Sequence, residues 1–269
     1  MGSAADSDIN LMSITKSIVA LTLGVYAKGW EEAFLNTAAS HWFPKWRKDG
    51  RSKILVRHLL THTSGLHYPF DDLPIWAHKN TLHYALSGRL RAEPGSTFAY
   101  ANEPTQLLAG IIEAATGLGL REFVQSKLLL PLDVKSMLWT ADATGRAHAF
   151  SGLHLRGEDV VRIADLVLNY GRHEQKQILP ARWVKRCISS AGGVANYGLL
   201  WWIRGKRQGA RLRAVYGHGW LGQFLVVYPS CRGLAVRLHN QQSNGDALEN
   251  ASCSFPEAMV MFEEAILGG

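Results

Sequence analysis

Cysteine is scarce: Cys187, Cys231 and Cys253 are the only three in 269 residues. Their count is odd, they lie far apart and no Cys-x-x-Cys occurs, so neither a disulfide framework nor a zinc cluster is indicated. Buried or free thiols are expected. Long apolar runs are also lacking. The longest near the start covers residues 17–27, too short for a membrane span of about twenty residues, and reads as a core helix. Residues 1–12 carry Asp6 and Asp8 and no Lys or Arg, the opposite of the basic n-region of a secretory signal. Asp6 also stands where a myristoylation signal needs Ser or Thr. With no targeting or transmembrane segment read, a cytoplasmic location is the default expectation. Neither His-Glu-x-x-His nor Gly-x-Ser-x-Gly occurs, and Asp71, Asp72 and Asp133 have no matched histidine spacing. A metal hydrolase or an α/β-hydrolase is therefore disfavoured, and no metal or cofactor is expected.

What is present is a hydrophobic content of 47%, enough for a large core in a single unit with no third domain. The net charge of +7 is concentrated in Arg204, Lys206, Arg207, Arg211 and Arg213. That cluster reads as a solvated hairpin tip, in preference to a nucleic-acid or membrane patch; a basic rim attracting anionic substrates is the lesser alternative. Residues 104–117 have Pro at the start, Gly at the end and apolar Leu107, Leu108, Ile111 and Ile112 between, which predicts an amphipathic helix. The same periodicity predicts helices over 159–170 and 180–189. From Gly198 the period changes. Runs at 198–204, 212–217, 223–228 and 233–238 read as antiparallel strands, and residues 256–267 read as a helix with Met259, Phe262 and Ile266 on one face. This order predicts an α+β fold with a split layout.

Ser13-Ile14-Thr15-Lys16 is the one Ser-x-x-Lys of the chain. On a helix, residues three apart share a face. A serine at a helix N-terminus gains N–H groups that hold an anion, and a desolvated lysine can take its proton. Tyr100-Ala101-Asn102 is the one Tyr-x-Asn, and Tyr216-Gly217-His218-Gly219-Trp220 falls where an extended segment is expected. Between them stands Leu59-Leu60-Thr61-His62-Thr63-Ser64-Gly65-Leu66. In this order and spacing the four stretches resemble the serine β-lactamase and penicillin-binding-protein superfamily, most closely its class C-like branch of esterases and amide hydrolases. The likeness runs from about residue 10 to about residue 240.

The resemblance implies a single catalytic unit in which an antiparallel sheet flanked by helices, the sheet lobe of about 1–30 plus 191–269, meets a helical lobe of about 31–190, with the active site in the seam. It also implies roles. Ser13 is the candidate nucleophile, in place of a plain N-cap serine, and Lys16 its activator. Tyr100 is the candidate general base, its pKa lowered by the lysine's charge. Asn102 would orient the lysine and bind the substrate's carbonyl or amide. The third motif departs from the family's Lys-Thr-Gly. An ungapped count back from Pro229 puts Gly217, His218 and Gly219 on those positions; a shift by one would put His218 in the lysine's place. The first register is preferred, because it keeps the glycine that allows close approach. It makes the Trp220 N–H partner that of Ser13 in an oxyanion hole, and either register has His218 lining the cleft. The absent lysine weakens a β-lactam or D-alanyl peptide reading and favours neutral esters and small amides; Gly219-x-x-Gly222-Gln223 also resembles the branch that cleaves linear amide oligomers. His58, His62 and Ser64 could form a second nucleophilic or metal-binding set, but a structural helix end and turn is the preferred reading.

The family's members carry several dozen residues before the catalytic serine, against twelve here. The N-terminal strands of the sheet are therefore expected to be missing, leaving an open sheet edge, an apolar face beside the Ser13 helix, and a tendency to self-associate. The expected activity is hydrolysis of a small-molecule ester or amide through an acyl-enzyme, with no nucleic-acid or membrane partner. The alternatives are β-lactamase or D-alanyl peptidase activity, or a non-catalytic binding module.

Overall fold

The computed structural model describes residues 8–68, 73–205, 213–239 and 255–267. Asp71, Asp72, Lys206, Arg207, Arg211 and Cys253 lie outside the described residues. The core is organised around helix α1 (Ile14–Tyr26), in which every residue from Ile14 to Gly24 is buried. A helix apolar on all sides must be packed on all sides. One neighbour is α8 (Ala181–Cys187), whose Trp183 Nε1 donates to the Ala20 carbonyl at 2.8 Å. Gly24 permits that approach, since a Cβ there would lie 2.2 Å from the Trp183 ring. The expectation of a bare apolar face beside the Ser13 helix is thus overturned: α8 and the sheet enclose it.

Short pairings tie the chain together around α1. Strands β1 (Ile9–Asn10), β4 (Leu138–Trp139) and β5 (Leu153–Leu155) form a three-stranded sheet in the order β1-β5-β4, while β2 (Leu66–His67) pairs β3 (Arg89–Leu90) and β6 (Arg172–His173) pairs β7 (Lys176–Gln177). The helical part comprises α2 (Glu31–Asn36), α3 (Val56–Leu60), α4 (Thr81–Leu86), α5 (Glu103–Thr116), α6 (Leu120–Val124) and α7 (Gly157–Leu168). Helix α5 follows its sequence pattern closely and ends at Gly117 in the left-handed conformation, φ +72°, which glycine adopts without steric cost. Helix α7 begins two residues earlier than its apolar pattern.

The main sheet is antiparallel, in the order β11-β10-β9-β8: β8 (Trp202–Arg204), β9 (Ala214–Gly219), β10 (Gln223–Tyr228) and β11 (Gly233–Arg237). The first run is shorter than its sequence suggests because Leu200 turns the chain at φ +57°. Alternation along each strand sorts side chains to two faces. Val215, Leu225 and Val227 join the main core with α1, whereas Ala214, Tyr216, Phe224, Val226 and Tyr228 form a second cluster. The last helix, Phe255–Leu267, covers that second face through Phe262 and Ile266; the Met259 side chain lies outside the described residues. Arg204 does not belong to a solvated tip. It is buried and pairs with Glu263 of this helix at 3.4 Å. Among the described residues no strand pairs with the outer edge of β11, and no helix is long and apolar enough to cross a membrane.

Candidate active site

Ser13 sits where β1 turns into α1. The Leu11 N–H donates to the Leu153 carbonyl at 2.9 Å, and the Asn10 side chain accepts the Met12 N–H at 2.9 Å. Met12 is in the left-handed region at φ +50°, a conformation a non-glycine residue holds only when its surroundings fix it. Ser13 follows with helical angles and no side-chain capping bond, so its hydroxyl is not spent on the helix end. One turn on, Lys16 is buried to 1% exposure, with Nζ 2.9 Å from Ser13 Oγ and 2.8 Å from the Phe150 carbonyl. Burial lowers its pKa from the usual 10.5 to about 7, the Glu103 carboxylate opposing the fall. An ammonium without solvent loses its proton readily.

Tyr100 comes from the irregular stretch before α5. Its hydroxyl shares a hydrogen bond with Ser13, its ring centroid is 5.1 Å from Lys16 Nζ, and Trp202 stacks on it at 5.7 Å. The three residues singled out in the two sequence motifs therefore converge. One expectation is corrected: the Tyr100 pKa is raised, because desolvation of its hydroxyl outweighs the bond to Ser13. With the Lys16 pKa itself lowered to about 7, the cation that was to stabilise a phenolate is already partly lost at neutral pH and is gone well above it. Asn102 takes the N-cap position of α5 without a side-chain capping bond and faces the pocket beside Ser13.

The end of β9 lies against the same turn. A Cβ on Gly219 would fall 2.4 Å from the Leu11 carbonyl oxygen and 3.0 Å from Met12 Cβ, and one on Gly217 would meet Ser17 Oγ at 3.1 Å. Both glycines thus face α1. That alternation fits the ungapped register of the third motif, and it carries His218 to the opposite face. There its ring stacks on Phe224 of β10 at 4.7 Å. The expectation that His218 lines the cleft is overturned; a strand cannot present neighbouring residues to one side. Trp220 follows β9 and is 68% exposed at the pocket mouth.

The pocket holds about 590 Å³, with Ser13, Asn102, Trp76, His148, Phe150 and Trp220 among its walls. Among the described residues that line it, none is Asp, Glu, Lys or Arg. Several contributors carried no sequence signal. Phe150 acts through its carbonyl, which any residue could supply, and Trp76 and His148 arrive from distant loops. His58, by contrast, is structural: its Nδ1 accepts the Leu55 N–H and caps α3. The Ser64 hydroxyl accepts the Leu66 N–H within its own turn, so it forms no second nucleophilic set. His62 is a different matter. Buried to 1% exposure, it lies against Tyr100, with ring centroids 4.5 Å apart. Among the described residues, no group of three or more His, Cys, Asp or Glu side chains could hold a metal ion.

The model of the family described as Beta-lactamase matches residues 3–252. The 6-aminohexanoate-dimer hydrolase of Paenarthrobacter ureafaciens is 27% identical over 170 residues, 58% of this chain and 42% of that protein. Esterase EstB of Burkholderia gladioli is 28% identical over 218 residues, 72% of this chain and 54% of that protein. The chain thus spans about half the length of the curated relatives it matches. Among solved structures, a family VIII carboxylesterase superposes with TM-score 0.70 at 17% identity, covering 91% of this chain and 83% of that one. A penicillin binding protein from Bacillus halodurans gives TM-score 0.67 at 18% identity, with 91% and 85% covered. At these identities the likeness is one of fold.

Proposed function

This chain belongs to the beta-lactamase family, and from that premise we propose that it is a serine hydrolase that cleaves neutral esters or small amides through an acyl-enzyme. The observation that carries the proposal is the placement of Lys16, buried between Ser13 Oγ and the Phe150 carbonyl with a pKa near 7. In its neutral form the amine takes the Ser13 proton as Oγ attacks the substrate carbonyl. The backbone N–H groups of Ser13 and Trp220 bind the oxyanion, each such donor contributing on the order of 3 kcal/mol at the transition state. Tyr100, neutral because its pKa is raised, donates its hydroxyl proton to the leaving oxygen or nitrogen and is reprotonated from the Lys16 ammonium. In deacylation the same path runs in reverse: water gives up its proton as it attacks the acyl carbonyl, and Ser13 leaves as the alcohol.

The substrate class follows from the walls. A pocket without charged described residues and edged by Trp76, Phe150 and Trp220 gives a carboxylate no counter-ion and an apolar acyl group good contact. The activities named for the two relatives, an esterase and an amide hydrolase, are in keeping with this. The outer edge of β11, which no described strand pairs, also suits pairing with a second copy, which gel filtration across a concentration series would report.

The deciding experiment treats the purified protein with a fluorophosphonate, maps the adduct by mass spectrometry, and compares turnover of p-nitrophenyl butyrate with that of nitrocefin. An adduct on Ser13 and faster ester hydrolysis are expected. No labelling would leave a binding module, and efficient nitrocefin turnover without esterase activity would restore the β-lactamase reading.

A further inference from the structure

Tyr100 is held by no regular element; residues 97–101 are neither helix nor strand. Two hydrogen bonds from one residue flank it instead. The main-chain carbonyl of His62 accepts the Ala99 N–H at 2.8 Å, and Nδ1 of the same residue accepts the Ala101 N–H at 3.4 Å. The imidazole then packs on the Tyr100 ring at 4.5 Å, itself held by contacts to Phe98 at 6.0 Å and Tyr197 at 5.4 Å. His62 adopts φ +53°, a left-handed conformation that a non-glycine residue keeps only when its neighbours impose it, and such strain gathers at functional sites.

From this geometry we infer that His62 is the positioning residue of the active site: it grips the backbone on both sides of Tyr100 and sets the tyrosine hydroxyl against Ser13. The inference rests on the role given to Tyr100 above. To accept the Ala101 N–H, Nδ1 must carry no proton, so the ring is neutral with its hydrogen on Nε2. Nε2 is buried with no hydrogen-bond partner among the described residues, an arrangement that stability alone does not favour. Burial, with the nearby Lys16 charge, pushes the His62 pKa down to about 3, so the ring stays in the accepting form wherever the enzyme could work.

The test is a double-mutant cycle with p-nitrophenyl butyrate. His62→Leu keeps bulk but cannot accept the N–H. His62→Asn tolerates positive φ and offers a side-chain oxygen in place of Nδ1. If His62 acts through Tyr100, His62→Leu lowers kcat by about 30–100-fold with KM little changed, the scale expected when a catalytic group is misplaced by about 1 Å. His62→Asn restores most of the activity, and His62→Leu costs less than about twofold more in a Tyr100→Phe background, since coupled residues fail together. Losses that multiply, or a His62→Asn variant as poor as a folded His62→Leu, would overturn the inference. A fully active Tyr100→Phe would instead overturn the role given to Tyr100. The clamp is then decided by crystal structures of the variants: it stands if Tyr100 moves in His62→Leu and stays in His62→Asn, and falls if Tyr100 stays in both. If His62→Leu does not fold, His62→Ala, which likewise offers no acceptor to the Ala101 N–H, takes its place in the same comparisons.

Discussion

In the proposed mechanism Lys16 trades stability for chemistry. Its folded-state pKa of about 7 lies below the usual 10.5, so between those values the unfolded chain holds a proton that the folded chain has released. Stability therefore rises with pH across that window and is lowest, as far as Lys16 is concerned, below about pH 7. Lys16→Met should be inactive yet more stable than the parent at pH 6, by on the order of a few kcal/mol, with the difference shrinking towards pH 10. Thermal unfolding at both pH values measures this, and a variant less stable at pH 6 would contradict the account. In the proposed mechanism the same titration sets activity. kcat/KM for p-nitrophenyl butyrate should climb about tenfold per pH unit below 7 and level off above it, because only the neutral amine accepts the Ser13 proton. Ser13→Ala and Lys16→Arg, the second of which cannot deprotonate at accessible pH, should each lose essentially all turnover while staying folded. An active, correctly folded Ser13→Ala would place the nucleophile elsewhere.

At the scale of elements, the site depends on how closely β9 lies beside the turn before α1. Gly219 has no room for a Cβ, with the Leu11 carbonyl oxygen 2.4 Å away and Gln223 Cβ 2.9 Å away. A backbone oxygen cannot rotate aside as a long side chain can. Gly219→Ala should therefore force the strand end from the Ser13 turn and carry the Trp220 N–H with it. The expected loss is about 100-fold in kcat, the scale of one oxyanion donor, with KM much less affected. Trp220→Ala leaves that N–H in place and removes only the exposed ring at the pocket mouth, so it should raise KM for esters of bulky acyl groups and spare kcat for p-nitrophenyl acetate. If Gly219→Ala is as active as the parent, the Trp220 N–H has no part in the reaction.

Over the whole molecule, the pKa shifts that burial imposes on His58, His62, Lys16, Cys187, Tyr68 and Tyr197 together place the optimum of stability at alkaline pH. Burial lowers the pKa of His58 to about 4, with Arg57 adding to the effect, and that of His62 to about 3. Stability is gained as pH rises from there to the usual histidine value of 6.5, and Lys16 extends the gain above pH 7. In the other direction, burial raises the pKa of Cys187, Tyr68 and Tyr197, so above about pH 9–10 the unfolded chain sheds protons that the folded one keeps. The melting temperature should peak near pH 9, above the pH 5–8 range typical of proteins. A calorimetric series from pH 4 to 11 tests this, and a peak at pH 6 would rule it out.

Local chemistry made a large part of this protein legible in the sequence. The periodicity of residues 104–117, the run at 223–228 and the apolar stretch after Ser13 each became the expected element, because those patterns express contacts made within a few residues. The spacing of Ser13 and Lys16 likewise fixes their shared face, since one helical turn joins them. What the sequence could not decide is which distant groups meet. The side His218 takes depends on which face of β9 meets α1. The burial of α1 depends on α8, some 160 residues away. The raised Tyr100 pKa depends on desolvation around its hydroxyl, and the grip of His62 on residues 99–101 depends on a loop closure spanning about forty positions. These are properties of the packed chain, because a face, a dielectric environment and a hydrogen-bond partner exist only once separate segments have come together.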